Sequence, residues 1–247
     1  MTQSSISPDE IAKFAAMAEQ WWDPKGQFRP LHQLNIVRLG FIRDALARHY
    51  GRDPLGPKPL HGLQILDVGC GGGLLCEPLT RLGAKLTGID AAEESIEIAR
   101  AHGAEAGLKI DYRHASAETL VKEGRRFDGV LAMEVIEHVA DIGAFMDACT
   151  RLVAPGGAMA VATLNRTPKS FALAIVGAEY VLRWVPRGTH DWRKFLRPSE
   201  LVPLLERGGL EIEEITGVAY DPLSTSWRLT PDLGVNYMLF ALKGSRR

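Results

Sequence analysis

Apolar and polar residues along this chain alternate with two different periods. Short apolar runs near residues 63–68, 85–89, 109–113, 127–132 and 158–164 have the length of strands, and stretches with helical spacing lie between them. That alternation predicts right-handed βαβ units and a doubly wound, mostly parallel sheet. Ahead of it, Ile11, Phe14, Ala15, Ala18, Trp21 and Trp22 recur at helical spacing, which predicts one amphipathic helix from Pro8 to Trp22 with an early proline. Asp23-Pro24-Lys25-Gly26 ends it. A second helix is expected from Leu34 to His49, with Leu34, Val37, Phe41, Ile42 and Leu46 on one face. A proline-rich link over residues 53–59 separates this preamble from the first strand. The alternation breaks after Asn165. Leu210 to Thr216 and Asn236 to Leu242 read as two late strands.

The first strand of the alternating region runs straight into Gly69-Cys70-Gly71-Gly72-Gly73, and Asp90 follows the second strand. Glycines after a strand, with an acid one strand later, are the layout of a nucleoside-type cofactor site at the carboxyl edge of a parallel sheet. The dinucleotide fingerprint needs a third glycine where this chain has Leu74. A ligand with a nucleoside but no diphosphate accounts for the difference. Bare backbone lets such a ligand lie against the main chain, and Asp90 suits the two hydroxyls of a ribose.

The same edge of the sheet selects the segment Ala115-Ser116-Ala117-Glu118, in which Ser116 and Ala117 are candidates, and Met133-Glu134. Beyond Met133 comes Glu134-Val135-Ile136-Glu137-His138, with two carboxylates and an imidazole within five residues. A substrate hydroxyl such as a phenol, with a pKa of about 10, loses its proton near neutral pH only with the help of a base or a metal. His138 suits the base. Alternatively Glu134, Glu137 and His138 together hold a divalent ion such as magnesium, or they cap the following helix.

Composition narrows the field. A chain of 247 residues with 46% hydrophobic content can bury a full core. The net charge of -1 sets up no field that would gather nucleic acid. Three cysteines, an odd number, read as reduced thiols. The N-terminus has no apolar secretion signal, and no run of about 18 apolar residues predicts a membrane span. These features lead to the expectation of a cytoplasmic protein.

Leu66-Asp67-Val68-Gly69-Cys70-Gly71-Gly72-Gly73 resembles the first motif of class I S-adenosylmethionine (SAM) methyltransferases. Phe127-Asp128-Gly129-Val130 and Leu152-Val153-Ala154-Pro155-Gly156-Gly157 follow in that family's order. The resemblance sharpens at Trp21-Trp22-Asp23, Phe28-Arg29-Pro30-Leu31-His32 and Arg38-Leu39-Gly40. It continues at residues 133–139, 163–166, 176–183 and 186–191, and at Val235-Asn236-Tyr237-Met238. Taken together these segments resemble the ubiquinone-biosynthesis O-methyltransferases over nearly the whole chain.

The resemblance implies a Rossmann-like, seven-stranded sheet with a late antiparallel strand. It also implies one methyltransferase domain: a helical preamble (1–60), a SAM-binding core (61–165), a lid or membrane-facing insertion (166–200), and a closing helix and strand pair (201–247). Arg38, Gly69, Asp90 and Met133 would contact SAM, with Arg38 binding the methionine carboxylate. The acceptor would be a polyprenylated catechol or demethylubiquinol, and other enzymes of ubiquinone synthesis are possible partners.

Residues 168–192 are densely apolar with basic flanks, a pattern suited to a lid, to the inner surface of a membrane, or to both. His190 and Asp191 at its end are secondary candidates for contact with substrate. Two other readings stay open: a SAM enzyme with a different acceptor, and a SAM-binding subunit without catalysis. The trio at 134–138 argues against the second.

Overall fold

The computed structural model describes residues 5, 7–26, 28–181, 191–221 and 224–245, with backbone alone at 13, 14, 178, 180 and 181. Helix α1 (Pro8–Ala15) and a tight 3-10 turn (Ala18–Gln20) precede the long helix α2 (Arg29–His49). Next come β1 (Gln64–Val68), α3 (Cys76–Arg81), β2 (Lys85–Asp90), α4 (Glu93–Glu105), β3 (Asp111–His114), α5 (Ala117–Lys122) and β4 (Phe127–Met133). After the turn Ile136–His138 follow α6 (Ile142–Leu152) and β5 (Val153–Leu164). A short helix α7 (Pro168–Ser170) leads into a wide, π-wound stretch, Phe171–Val181. The chain closes with α8 (Pro198–Arg207), β6 (Leu210–Asp221), β7 (Ser226–Thr230) and β8 (Asn236–Lys243).

The strands form one sheet in the order β3-β2-β1-β4-β5-β8-β6-β7. β1 to β5 are parallel, and β8 inserts antiparallel between β5 and β6. The order reverses between β1 and β4, so the crevice of the fold opens beyond Val68 and Met133. The doubly wound, mostly parallel sheet is therefore as expected, with an eighth strand at its edge. β7 pairs antiparallel with β6 from Gly217 to Asp221. Its sequence, Ser-Trp-Arg-Leu-Thr, is half exposed and lacks the clean alternation by which a strand is read.

Alternate side chains build the two faces. Ile65 and Leu131 point towards α2, α3 and α4, while Leu66 and Val130 point towards α5, α6 and α8. Phe41, Ile42 and Leu46 of α2 are buried in the first face. Each such side chain contributes roughly 1.5–3 kcal/mol. The second helix of the preamble is thus one layer of the core. It also starts five residues earlier than expected, at Arg29, with Pro30 in its first turn, where a proline's missing N–H costs nothing.

The first helix departs from its periodicity. Instead of running to Trp22, it stops at Ala15, and the 3-10 turn carries both tryptophans onto the body of the protein. Trp21 Nε1 donates to Ser95 Oγ at 3.1 Å, and Trp22 Nε1 donates to the Gly72 carbonyl at 2.9 Å. These contacts outweigh the weak preference of a short helix to continue.

Candidate active site

A cavity of about 660 Å³ opens at the switch point. That volume is within the usual range for a small-molecule site. Gly69, Gly71, Asp90, Ser116, Ala117 and Met133 line it from the strand ends, and Arg38 lines it from α2. Leu173, Val218, Tyr220, Trp227 and Asn236 line it from the later part of the chain.

The glycine turn is shaped as much by protein as by space for a ligand. Gly69 has φ 72°, and a Cβ there would lie 2.6 Å from Val135. Gly71 has φ 51°, and its Cβ would lie 2.4 Å from the Trp21 ring. Both positions need glycine for backbone and for space. Trp21 covers Gly71 and Gly72 and stacks on Phe28 at 4.0 Å. Trp22 stacks on His102 at 3.5 Å, and His102 Nδ1 meets the buried Glu77 at 2.5 Å. Much of that bareness therefore also seats the preamble.

Asp90 is oriented by two backbone donors, Gly71 N–H at 2.9 Å and Ala92 N–H at 2.8 Å. Burial raises its pKa in spite of these bonds. Asp67, at the heart of the crevice, is pushed up to about 7 by burial, against the Cys76 thiol that donates to it at 3.4 Å. The three cysteines are buried and free, and burial pushes their thiols up. Ser116 caps α5 by accepting from Thr119 N–H at 3.3 Å.

Glu134 stands at φ 53°, a left-handed conformation that costs a non-glycine residue on the order of 1 kcal/mol or more. The twist turns its carboxylate towards α2. Arg38 Nη2 lies 2.5 Å from Glu134 Oε1, an ion pair by distance rather than an aligned hydrogen bond. Arg38 is only 2% exposed and also donates to Asn35 Oδ1 at 3.3 Å. Asn236 Nδ2 donates to the same Glu134 oxygen at 3.1 Å. A helix charge that would ordinarily be solvated is here an inward-facing wall of the cavity.

The trio read from the sequence is divided. Glu134 and His138 line the cavity, but Glu137 does not. Glu137 is buried and accepts from Thr163 Oγ1 at 3.0 Å. His138 Nδ1 meets Glu10 Oε2 at 3.0 Å. Among the described residues no group of three or more His, Cys, Asp or Glu could hold a metal ion. The expected divalent site at Glu134, Glu137 and His138 is therefore not assembled, because the two carboxylates and the imidazole are turned to different partners. Glu10 and Lys194, which meet at 3.1 Å, were not foreseen. They lie 128 and 56 residues from His138, and no local pattern links them to it. His190 lies outside the described residues. Asp191 accepts from Arg193 N–H at 3.0 Å and does not line the cavity.

Two outcomes follow. Gly71→Ala should weaken SAM binding at least about tenfold, because the new Cβ displaces Trp21 and strains the turn; calorimetry giving wild-type affinity would contradict this. The second concerns Asp67. In the fold its carboxyl keeps a proton up to about pH 7, whereas in the unfolded chain it ionises at about pH 3.9. The folded state binds the extra proton across that window, so its contribution to stability is lost as pH rises through it. Asp67→Asn should therefore flatten the fall in melting temperature of the ligand-free protein between pH 5 and 8; an unchanged slope would show that Asp67 is not its source.

A methyltransferase domain model matches residues 66–161. The chain is 57% identical over 240 residues to the ubiquinone biosynthesis O-methyltransferase of Dinoroseobacter shibae, covering 97% of each chain. It is 55% identical over 236 residues to the protein of the same name from Azorhizobium caulinodans, covering 96% of this chain and 93% of that one. In fold it resembles a magnesium protoporphyrin IX methyltransferase from Synechocystis solved with bound SAH, with a TM-score of 0.61 at 19% identity over 96% of this chain and 94% of that one. The chain belongs to the ubiquinone biosynthesis O-methyltransferase family and is a SAM-dependent methyltransferase.

Proposed function

We propose that the protein methylates a phenolic oxygen of polyprenylated catechol and demethylubiquinol intermediates. Full-length identity to relatives named for that pathway supports the acceptor class. The observation that carries the chemistry is His138, an imidazole on the cavity wall whose Nδ1 is held by a carboxylate.

SAM supplies a sulfonium-bound methyl, and on its transfer to oxygen S-adenosylhomocysteine leaves. The chain's residues do the rest. Asp90 would receive the ribose hydroxyls, Gly69 and Gly71 would form the backbone floor, and Ser116 and Ala117 would flank the adenine. Arg38, fixed by Glu134 and Asn35, would be the cation facing the methionine carboxylate. Met133 would pack against the donor. His138 removes the acceptor's proton through Nε2, because Nδ1 is committed to Glu10. Glu134 acts on the reaction through Arg38. Most of the rate comes from holding the two reactants in line.

Phe171, Leu173 and Val176 are exposed on the π-wound stretch, beside Lys169, and Leu173 also lines the cavity. A polyprenyl chain would enter here, with this face lying against the inner surface of the membrane. No helix among the described residues is long and apolar enough to cross one. Replacing both Phe171 and Val176 by Glu should abolish cosedimentation with anionic vesicles; retained binding would place the contact elsewhere.

His138→Ala should lower the single-turnover rate on a short-chain catechol about a hundredfold or more while SAM affinity holds. Lost SAM binding with a normal rate would make the assignment wrong. Loss of transfer on chelation, restored by magnesium, would give Glu134, Glu137 and His138 to an ion instead.

A further inference from the structure

We propose that the β6–β7 hairpin holds the first isoprene units of the acceptor, with Tyr220 and Trp227 as specificity-determining residues. The proposal rests on the reading of the acceptor as a prenylated phenol.

The hairpin stands beyond the sheet proper. β8 begins at Asn236, which pairs with Leu164 at the end of β5 and with Val218 of β6. The register of β6 with β8 ends at that pair, and from Ala219 to Asp221 β6 continues alongside β7. Those residues therefore rise past the carboxyl edge of the parallel strands, the edge on which the cavity opens. Residues directly opposite in an antiparallel ladder share a face, as do alternate residues of one strand. Tyr220 faces Trp227 in the register, so Val218, Tyr220 and Trp227 present one surface, and all three line the cavity. The two aromatic rings lie 5.4 Å apart at 62°, an edge-to-face pair.

Two contacts fix that surface. At the base of the hairpin a Cβ on Gly217 would collide with the Asp232 carbonyl, so the turn after β7 crosses directly over this glycine. Val218 is buried in the same apolar cluster as Leu34 of α2, and Trp227 packs against that cluster. Leu34 also lines the cavity. The hairpin and α2 thus give this end of the cavity apolar walls.

Distance from the donor decides what these walls touch. Met133, at the donor end, closes β4, and the order β4-β5-β8-β6 puts the hairpin three strand steps away. At ordinary strand spacing that is about 14 Å. A phenol presenting its oxygen beside Met133 reaches so far only through what its ring carries. The chemistry of the wall agrees, because Val218, Tyr220 and Trp227 carry no charge and hydrocarbon gains most from such a surface. Leu173, at the entry assigned to the chain, lines the same cavity, so entry and hairpin open on one space.

The test compares two acceptors in the full chain: a catechol without a chain, and the same catechol carrying two isoprene units. kcat and KM are measured on each, with SAM affinity by calorimetry. Wild type should prefer the prenylated acceptor. Trp227→Ala should cut that preference about tenfold, chiefly through KM, with SAM affinity within about twofold. A preference within about twofold of wild type, or equal loss on both acceptors, would overturn the proposal. If Trp227→Ala fails to fold, Tyr220→Ala decides by the same ratio. A wild-type enzyme indifferent to the chain would overturn the subsite while leaving oxygen methylation standing. Absence of transfer to oxygen on either acceptor would sink the underlying reading and the subsite with it.

Discussion

Packing of Trp21 onto the Gly71–Gly72 backbone is the contact on which the site depends. A parallel sheet delivers a glycine turn to the mouth of the crevice, but a bare turn has no side chains with which to hold its own shape. Here the shape comes from outside: Trp21 above, Val135 beside Gly69, and the Asp90 carboxylate beneath, accepting from Gly71 N–H. Trp22 adds a bond to the Gly72 carbonyl and stacks on His102. The preamble is therefore structural for the donor site, although it contributes no strand.

A second consequence concerns charge. Arg38 and Glu134 are brought together on the cavity wall by two costs that neither would bear alone, a buried guanidinium and a left-handed backbone. Each offsets the other, because an unpaired buried charge is expensive and the twist at Glu134 aims a carboxylate at it. The pair turns one oxygen of Glu134 towards α2, while Glu137 accepts from Thr163.

Much of this was legible in the chain because it depends on local order. Strand periodicity located β1 to β4 to within two residues and the end of β5, which begins five residues earlier than expected, and the rule of strand ends selected Gly69, Asp90, Ser116, Ala117 and Met133, all on the cavity wall. What escaped depends on distance in sequence. The spacing of Glu134, Glu137 and His138 could not tell which way each side chain turns, since a left-handed residue at 134 and a tight turn at 136–138 redirect them. Glu10 sits in the first turn of a helix, a place where acids are expected anyway, so nothing local marks it. The break in the first helix was hidden because Trp21 and Trp22 keep helical spacing while packing for another reason. β7 was missed because an edge strand carries half a pattern.

The central claim is that a donor site built on the glycine turn faces an oxygen acceptor activated by His138. It is tested most directly by incubating the protein with SAM and a demethylated quinol bearing a short prenyl chain, then locating the methyl group by mass spectrometry and NMR. The account predicts one methyl on a phenolic oxygen, with S-adenosylhomocysteine formed in equal amount. Methyl found on carbon, or tight SAM binding with no transfer to the quinol, would contradict it.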